Sequence, residues 1–242
     1  MSWMLISVRG EMMKVNLSLQ NMALLSIIED SSQIITLDAN FFIPPDRRPY
    51  SKHNFSFEKY KQIWLEPIFK AFQNLAIHEA VYDEFVEAAV QSFAKEKINC
   101  KPTLLKLFQD AELTETESAL RDSIEAKIYP LTKYDPLINN KDDRGEVKSL
   151  AYIATKGLLY FAAHDNNAIQ LIEKSDDWST GLDNVKSIQM YEIIYYLYMN
   201  DLSSKKDLRI LYKYQYYLTK KEKQENSEWG EYISRMDELY NT

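Results

Sequence analysis

The sequence predicts an α/β fold: a three-layer α/β/α domain with a short, mainly parallel central sheet, a helical insertion and a helical C-terminal tail. Three observations carry that reading. Short apolar runs at 33–38, 75–78 and 158–165 alternate with longer amphipathic stretches, the order expected of strands joined by crossover helices. Only five glycines and seven prolines in 242 residues supply too few turn residues for a β-sandwich and favour long helices. The 45% hydrophobic and 27% charged content supports a real core and argues against wholesale disorder.

Taken in order, residues 1–31 read as a short strand or irregular lead-in followed by a helix around "LQNMALLSIIED". Strand 33–38 follows. The Pro-rich, basic stretch "IPPDRRPYSKHN" (43–54) must be a loop, because proline removes a backbone donor and fixes φ. Residues 56–74 are amphipathic and helical, with Pro67 expected to break or kink the helix. "LAIHEAVYDEFVEAAVQSFAKEK" (75–97) begins as a strand and becomes a helix near His78 to Val81. Segments 102–110 and 114–128 read as helices of a polar insertion spanning about 86–140. Residues 129–145 form a loop, and 146–157 a helix closed by Gly157, a good C-capping residue. Strand 158–165, helix 166–174 and a strand-then-helix over 185–201 complete a domain of residues 1–201. The charged, tyrosine-rich stretch 202–242 reads as a helical extension.

Composition removes several classes of function. A single cysteine, Cys100, excludes an intramolecular disulfide and any thiolate metal cluster. The three histidines, His53, His78 and His164, are scattered without zinc-site spacing. A net charge of −7 is not that of a general nucleic-acid binder, although a local basic patch can coexist with acidic chemistry. The apolar opening Trp3–Val8 is followed, not preceded, by Arg9, and no run approaches the roughly 20 residues of a membrane span. The expectation is a soluble, cytoplasmic protein without a membrane partner.

The chemistry concentrates in acids. In "QIITLDANFFI" (33–43), Ile34, Ile35 and Leu37 precede Asp38, and Phe41, Phe42 and Ile43 follow Asn40. An ionised carboxylate in such surroundings is costly unless it is paired, hydrogen-bonded or bound to metal. Asp165 closes strand 158–165 in the same way. Glu84 lies just after the strand at 75–78, and "DDRGE" puts Asp143 and Glu146 at the start of helix 146–157. Ligands of open parallel sheets bind beyond the carboxyl ends of the strands, so acids delivered there can converge. Carboxylates without histidine or cysteine partners suit a hard cation, Mg²⁺ or Mn²⁺.

The ordered set "IITLDANFFI … LAIHEAVYDEFV … DDRGEVKSLAYIATKGLLYFAAHDNNAI" resembles the PIN-domain nuclease family. A first strand ending in Asp with a small polar residue two places later matches Asp38 and Asn40. The family's second acid, in a "P-x-x-V-x-x-E" pattern, matches Glu84, with Val81 in register and His78 where proline is common. A "GE" opening a helix of small residues that ends in glycine matches Gly145-Glu146 and "SLAYIATKG". The last acid matches Asp165, with His164 in place of the usual threonine and Asn166 where a second Asp is common.

The resemblance covers about residues 33–195. It implies a metal-dependent nuclease, most simply an endoribonuclease, in which Asp38, Glu84, Glu146 and Asp165 hold Mg²⁺ or Mn²⁺ and Asp143 is a reserve ligand. Asn40, Asn166 and His164 would support these groups, and Arg47, Arg48 and Arg144 would contact substrate phosphates. RNA is the implied substrate. A protein inhibitor or antitoxin, or a homo-oligomer, would suit a toxin or defence effector.

Other readings of the same residues stand beside this one. Asp38 can cap the segment that follows it. Glu84 can be an ordinary surface acid among Glu79, Asp83 and Glu87. Asp143 and Glu146 have capping-box spacing, His164 can be an interior histidine, and Arg144 can pair with neighbouring acids. The alternative readings are a catalytically idle nucleic-acid or protein-binding module and a structure-specific DNA nuclease. The tail stretch 205–223 interleaves seven basic residues with Tyr212, Tyr214, Tyr216 and Tyr217. It fits either an amphipathic helix packed on the domain or a single-stranded RNA platform.

Overall fold

The computed structural model describes residues 14–48, 50–51 and 54–241; the lead-in expected over residues 1–13 and His53 lie outside the described residues. Helix α1 (Met22–Glu29) is capped by Asn21, whose side chain accepts from the Ala23 N–H. Strand β1 (Ile35–Leu37) then runs to Asp38, and a 3₁₀ turn covers Ala39–Phe41. Helices α2 (Phe57–Tyr60) and α3 (Glu66–Ala71) are joined by a π turn over Lys61–Leu65. Of the break or kink expected at Pro67, the break does not occur, and the irregularity takes the form of this π turn. The wider turn before it accommodates a residue with no N–H to donate.

Strand β2 (Leu75–His78) leads directly into the short α4 (Glu79–Tyr82), and α5 (Ala88–Asn99) precedes β3 (Leu105–Phe108). Next come α6 (Glu115–Ile128), α7 (Arg144–Thr155), β4 (Tyr160–Ala163), α8 (Asn166–Glu173), α9 (Ser175–Trp178) and β5 (Lys186–Gln189). Helices α10 (Met190–Met199), α11 (Lys205–Tyr216), α12 (Glu222–Glu225) and α13 (Trp229–Tyr240) finish the described chain.

All pairings in the sheet are parallel, in the order β3-β2-β1-β4-β5. Ile35 stands opposite both Leu75 and Tyr160, so β1 is central. Alternation along β4 reveals the layers. Tyr160 and Ala162 enter one core with α1, α3, α10, α11 and α13, while Phe161 and Ala163 enter a second core with α6, α7 and α8. Helices cover both faces, which is why the strands read as continuous apolar runs.

One expectation changes. Segment 102–110 is not helical: it holds β3, paired with β2 from Leu105↔Leu75 to Phe108↔His78. "LLKLF" alternates with the period of a strand, and Pro102 removes a donor where a helix would begin. The insertion at 86–140 is therefore helical in α5 and α6 but also supplies a sheet edge. The tail packs on the domain, one of the two readings its sequence allows. Leu208, Leu211, Tyr212, Tyr216, Tyr232, Ile233, Met236 and Tyr240 are all buried in the first core. Among the described residues no helix is long and apolar enough to cross a membrane.

Candidate active site

The strand order reverses between β1 and β4: the chain builds outward from β1 through β2 to β3, then crosses to the other side. Such a switch point opens a crevice beyond the carboxyl ends of the strands. Asp38 and Asp165 stand on its two sides. The ladder extends to the first of them, since the Asp38 N–H donates to the Ala162 carbonyl at 2.9 Å.

Asp38 is 4% exposed. The Asn40 amide donates to its Oδ2 at 2.9 Å, the supporting contact expected of that residue. Burial first, and the negative charge of Asp165 second among the groups that raise it, push the Asp38 carboxyl up to about 6. The capping role open to Asp38 is not taken, since its side chain makes no capping bond to the 3₁₀ turn, whereas Asp165 caps α8 by accepting from the Asn167 N–H at 2.8 Å. Asn166 opens α8 immediately after it, half-buried.

Glu84 lies in the turn after α4. Its Oε1 accepts from the Gly145 N–H at 2.7 Å, joining the β2 side of the crevice to the start of α7. Burial chiefly, with the charges of Asp38 and Asp143, raises its carboxyl to about 7, against the pull of the Gly145 N–H and Arg144. Glu146 sits in the first turn of α7 and is 6% exposed. Burial, then the charges of Asp38, Asp165, Asp143 and Glu84, hold its carboxyl well above the usual range. Its Oε1 is buried and has no hydrogen-bond partner.

The capping box open to Asp143 and Glu146 is not formed. Asp143 takes a left-handed φ of 55° and makes no capping bond. Its carboxylate instead accepts from the Lys133 N–H at 2.9 Å, tying down the preceding loop. Glu146 is therefore free of the structural task its spacing allowed.

The remaining predicted residues divide. Arg144 pairs with Asp83 at 3.5 Å on the rim of the crevice. Arg47 pairs with Glu222 of the tail, and its charge reaches His164. His164 is pushed down to about 4, by burial first and Arg47 second, and stays neutral; its Nδ1 meets the Tyr216 hydroxyl at 3.2 Å. Arg48 is exposed and folded onto Asp46, away from these contacts. Of the tail tyrosines, Tyr212, Tyr214 and Tyr216 are buried, so packing accounts for them.

A second cluster was not visible in the sequence. Ligand atoms of His78, Glu79 and Asp110 lie within 4.8 Å of one another, the one such triad among the described residues. Its polar atoms already have partners. His78 Nδ1 accepts from the Ala80 N–H at 3.2 Å, so Nε2 carries the proton and donates to Asp110 at 3.3 Å. Glu79 accepts from the Asp110 N–H at 2.9 Å, and Arg121 pairs with Asp110 at 3.3 Å. The guanidinium supplies the positive charge this cluster needs, and the network ties β2 to the end of β3.

The four crevice acids do not close into such a triad. A cation shared by three or more of them would therefore need side-chain movement or bridging waters, which Mg²⁺ commonly retains. The unpartnered oxygen of Glu146 and the all-carboxylate donor set fit a hard divalent cation.

No family model and no curated protein matches the sequence, and no solved structure matches the chain.

Proposed function

We propose that this protein is a metal-dependent nuclease of the PIN-like kind, acting on RNA as an endoribonuclease. One observation carries the reading: Glu146 is a buried carboxylate with an unpartnered oxygen, and the charges of Asp38, Asp165, Asp143 and Glu84 all bear on it. Packing alone offers no reason to gather acids at a sheet switch point, where their mutual repulsion works against folding.

Asp38, Glu146, Asp165 and Glu84 would hold Mg²⁺ or Mn²⁺. Such a cation, when bound, makes water a better nucleophile and neutralises charge on the phosphodiester under attack. Asn40 fixes the Asp38 carboxylate in one orientation. Gly145 occupies Oε1 of Glu84, which leaves Oε2 to meet a cation or accept a proton. Arg144, with one guanidinium nitrogen on Asp83, stands at the rim within the same segment as Glu146.

The test is cleavage of labelled single-stranded RNA and DNA, side by side, with Mn²⁺. RNA cleavage by the wild type and its loss, by a factor of 100 or more, in Asp38→Asn and Glu146→Gln are expected, since removal of electrostatic machinery costs about that much. Equal activity in a double variant that melts normally overturns the assignment. Preferential cleavage of DNA moves the substrate class.

A further inference from the structure

We infer that the turn 217–223, together with Tyr50, forms a platform for single-stranded RNA beside the acidic crevice; this rests on the nuclease reading for its substrate. The turn is built by Glu222, whose Oε2 accepts from the Leu218 and Thr219 N–H groups at 2.9 and 2.8 Å. The other oxygen of Glu222 pairs with Arg47, in the loop that follows Asp38. Tyr216, just before the turn, meets His164, the residue beside Asp165. Two independent contacts therefore anchor this part of the tail to the loop that follows Asp38 and to the residue preceding Asp165.

The anchored turn displays positive charge outside any ion pair. Lys220, Lys221 and Lys223 are exposed, and none of them makes an ion pair among the described residues. Several other bases of the same tail are paired: Lys205 with Asp201 at 3.1 Å, and Arg209 and Lys213 with Glu228 at 3.7 and 2.7 Å. The one acid inside the turn, Glu222, is 5% exposed and already committed to Arg47. Three such lysines within four residues make a local basic patch in a chain of net charge −7.

Aromatic faces accompany them. Tyr50 is 67% exposed, and the Arg47 guanidinium lies 6.0 Å from its ring centroid, so the same arginine joins ring and turn. Lys223 lies 5.8 Å from the ring of half-buried Tyr217. Lysines that follow a phosphate backbone, with a ring that accepts a base, are the components of sequence-tolerant single-strand binding. Anionic phosphates held there would also offset the repulsion a polyanion meets at the carboxylates.

The experiment is fluorescence anisotropy with a labelled single-stranded RNA, in EDTA and on an Asp38→Asn/Glu146→Gln background so that nothing is cut. Neutralising Lys220, Lys221 and Lys223 to Gln should weaken binding about tenfold or more at low salt and flatten the log–log salt dependence by about 2, from roughly 0.7 per lost phosphate contact. Tyr50→Ala should cost about tenfold at all salt concentrations. Melting temperatures should stay level, because these side chains face solvent. Unchanged affinity and salt slope in the triple variant overturn the platform, even where wild-type protein cleaves RNA. Lysine-dependent binding by a protein that cleaves nothing with Mn²⁺ upholds the platform and removes the nuclease instead.

Discussion

The Gly145 amide donates to Glu84 Oε1 at 2.7 Å, and a Cβ on Gly145 would stand 2.6 Å from that same oxygen. Glycine is required here by approach, not by φ: only a residue without a side chain lets the carboxylate reach the helix N-terminus. That position also favours negative charge.

Gly145→Ala separates this contact from stability. Alanine is the better helix former by about 1 kcal/mol, which offsets part of the clash. The expected outcome is a melting temperature within a few degrees of wild type and a Mn²⁺ affinity lower by about 10–100-fold, the usual effect of disturbing a ligand's support. Titration with Mn²⁺, followed by thermal shift, measures both. An undiminished Mn²⁺ shift would show that Glu84 is not at the metal.

Removing charge from the crevice should stabilise the metal-free protein. A carboxyl raised on folding contributes stability that is full below its unfolded value and lost as pH rises through the folded one. Asp38 at about 6 and Glu84 at about 7, with Glu146 also raised, therefore erode stability from about pH 4 to 7. His164, held down at about 4, acts oppositely: its contribution is lost as pH falls from about 6.5 to 4. Glu192, on the first turn of α10 and raised to about 7, titrates in the upper window too. The informative quantity is thus the difference between variant and parent. Glu146→Gln should melt about 2–6 °C higher than wild type at pH 7.5 in EDTA, a gain of about 1–2 kcal/mol, and the gap should close toward pH 4.5. Adding Mn²⁺ should raise only the wild type. A variant that melts lower at pH 7.5 contradicts the crowding of charge.

How far the sequence exposed this site depended on range. Asp38 and Asp165 were legible because a polar residue ending an apolar strand is a local signal. Glu146 was legible only as an ambiguity, of which the left-handed Asp143 and its bond to Lys133 remove the capping half. The reach of Glu84 to Gly145, across 61 residues, has no local signature. Strand β3 escaped for a related reason. Its four residues become a strand through register with β2, and tertiary pairing overrides local preference in so short a run. The burial of the tail tyrosines likewise depends on partners such as Tyr191, which accepts from the Tyr232 hydroxyl at 2.6 Å.

The His78–Asp110–Arg121 network makes a contrasting prediction. Asp110→Asn weakens a link between β2 and the end of β3 and leaves Arg121 with less compensation in a half-buried setting. A loss of about 1–3 kcal/mol in urea unfolding is expected, with the Mn²⁺ shift retained. The opposite pattern, a Mn²⁺ response lost in Asp110→Asn and kept in Asp38→Asn, would place the metal at this triad instead.

Glu222 tests whether the tail belongs to the domain. Its carboxylate is 7% exposed; it accepts the Leu218 and Thr219 N–H groups and pairs with Arg47, itself largely covered. These contacts outweigh burial and hold its carboxyl below the usual range. Here the linkage has the opposite sign from the crevice acids. Stability is present above the unfolded value, about 4.3, and is lost as pH falls through the folded one. Glu222→Gln keeps the shape but leaves Arg47 without its anion. A loss of about 2–4 kcal/mol at pH 7 is expected, within the range for breaking a partly buried pair, shrinking below about pH 4 as the wild-type carboxylate itself protonates. Urea unfolding of both proteins from pH 3.5 to 7 measures the difference. A pH-independent gap would mean that Glu222 acts by shape alone, and no gap would mean that the tail is not coupled to the loop after Asp38.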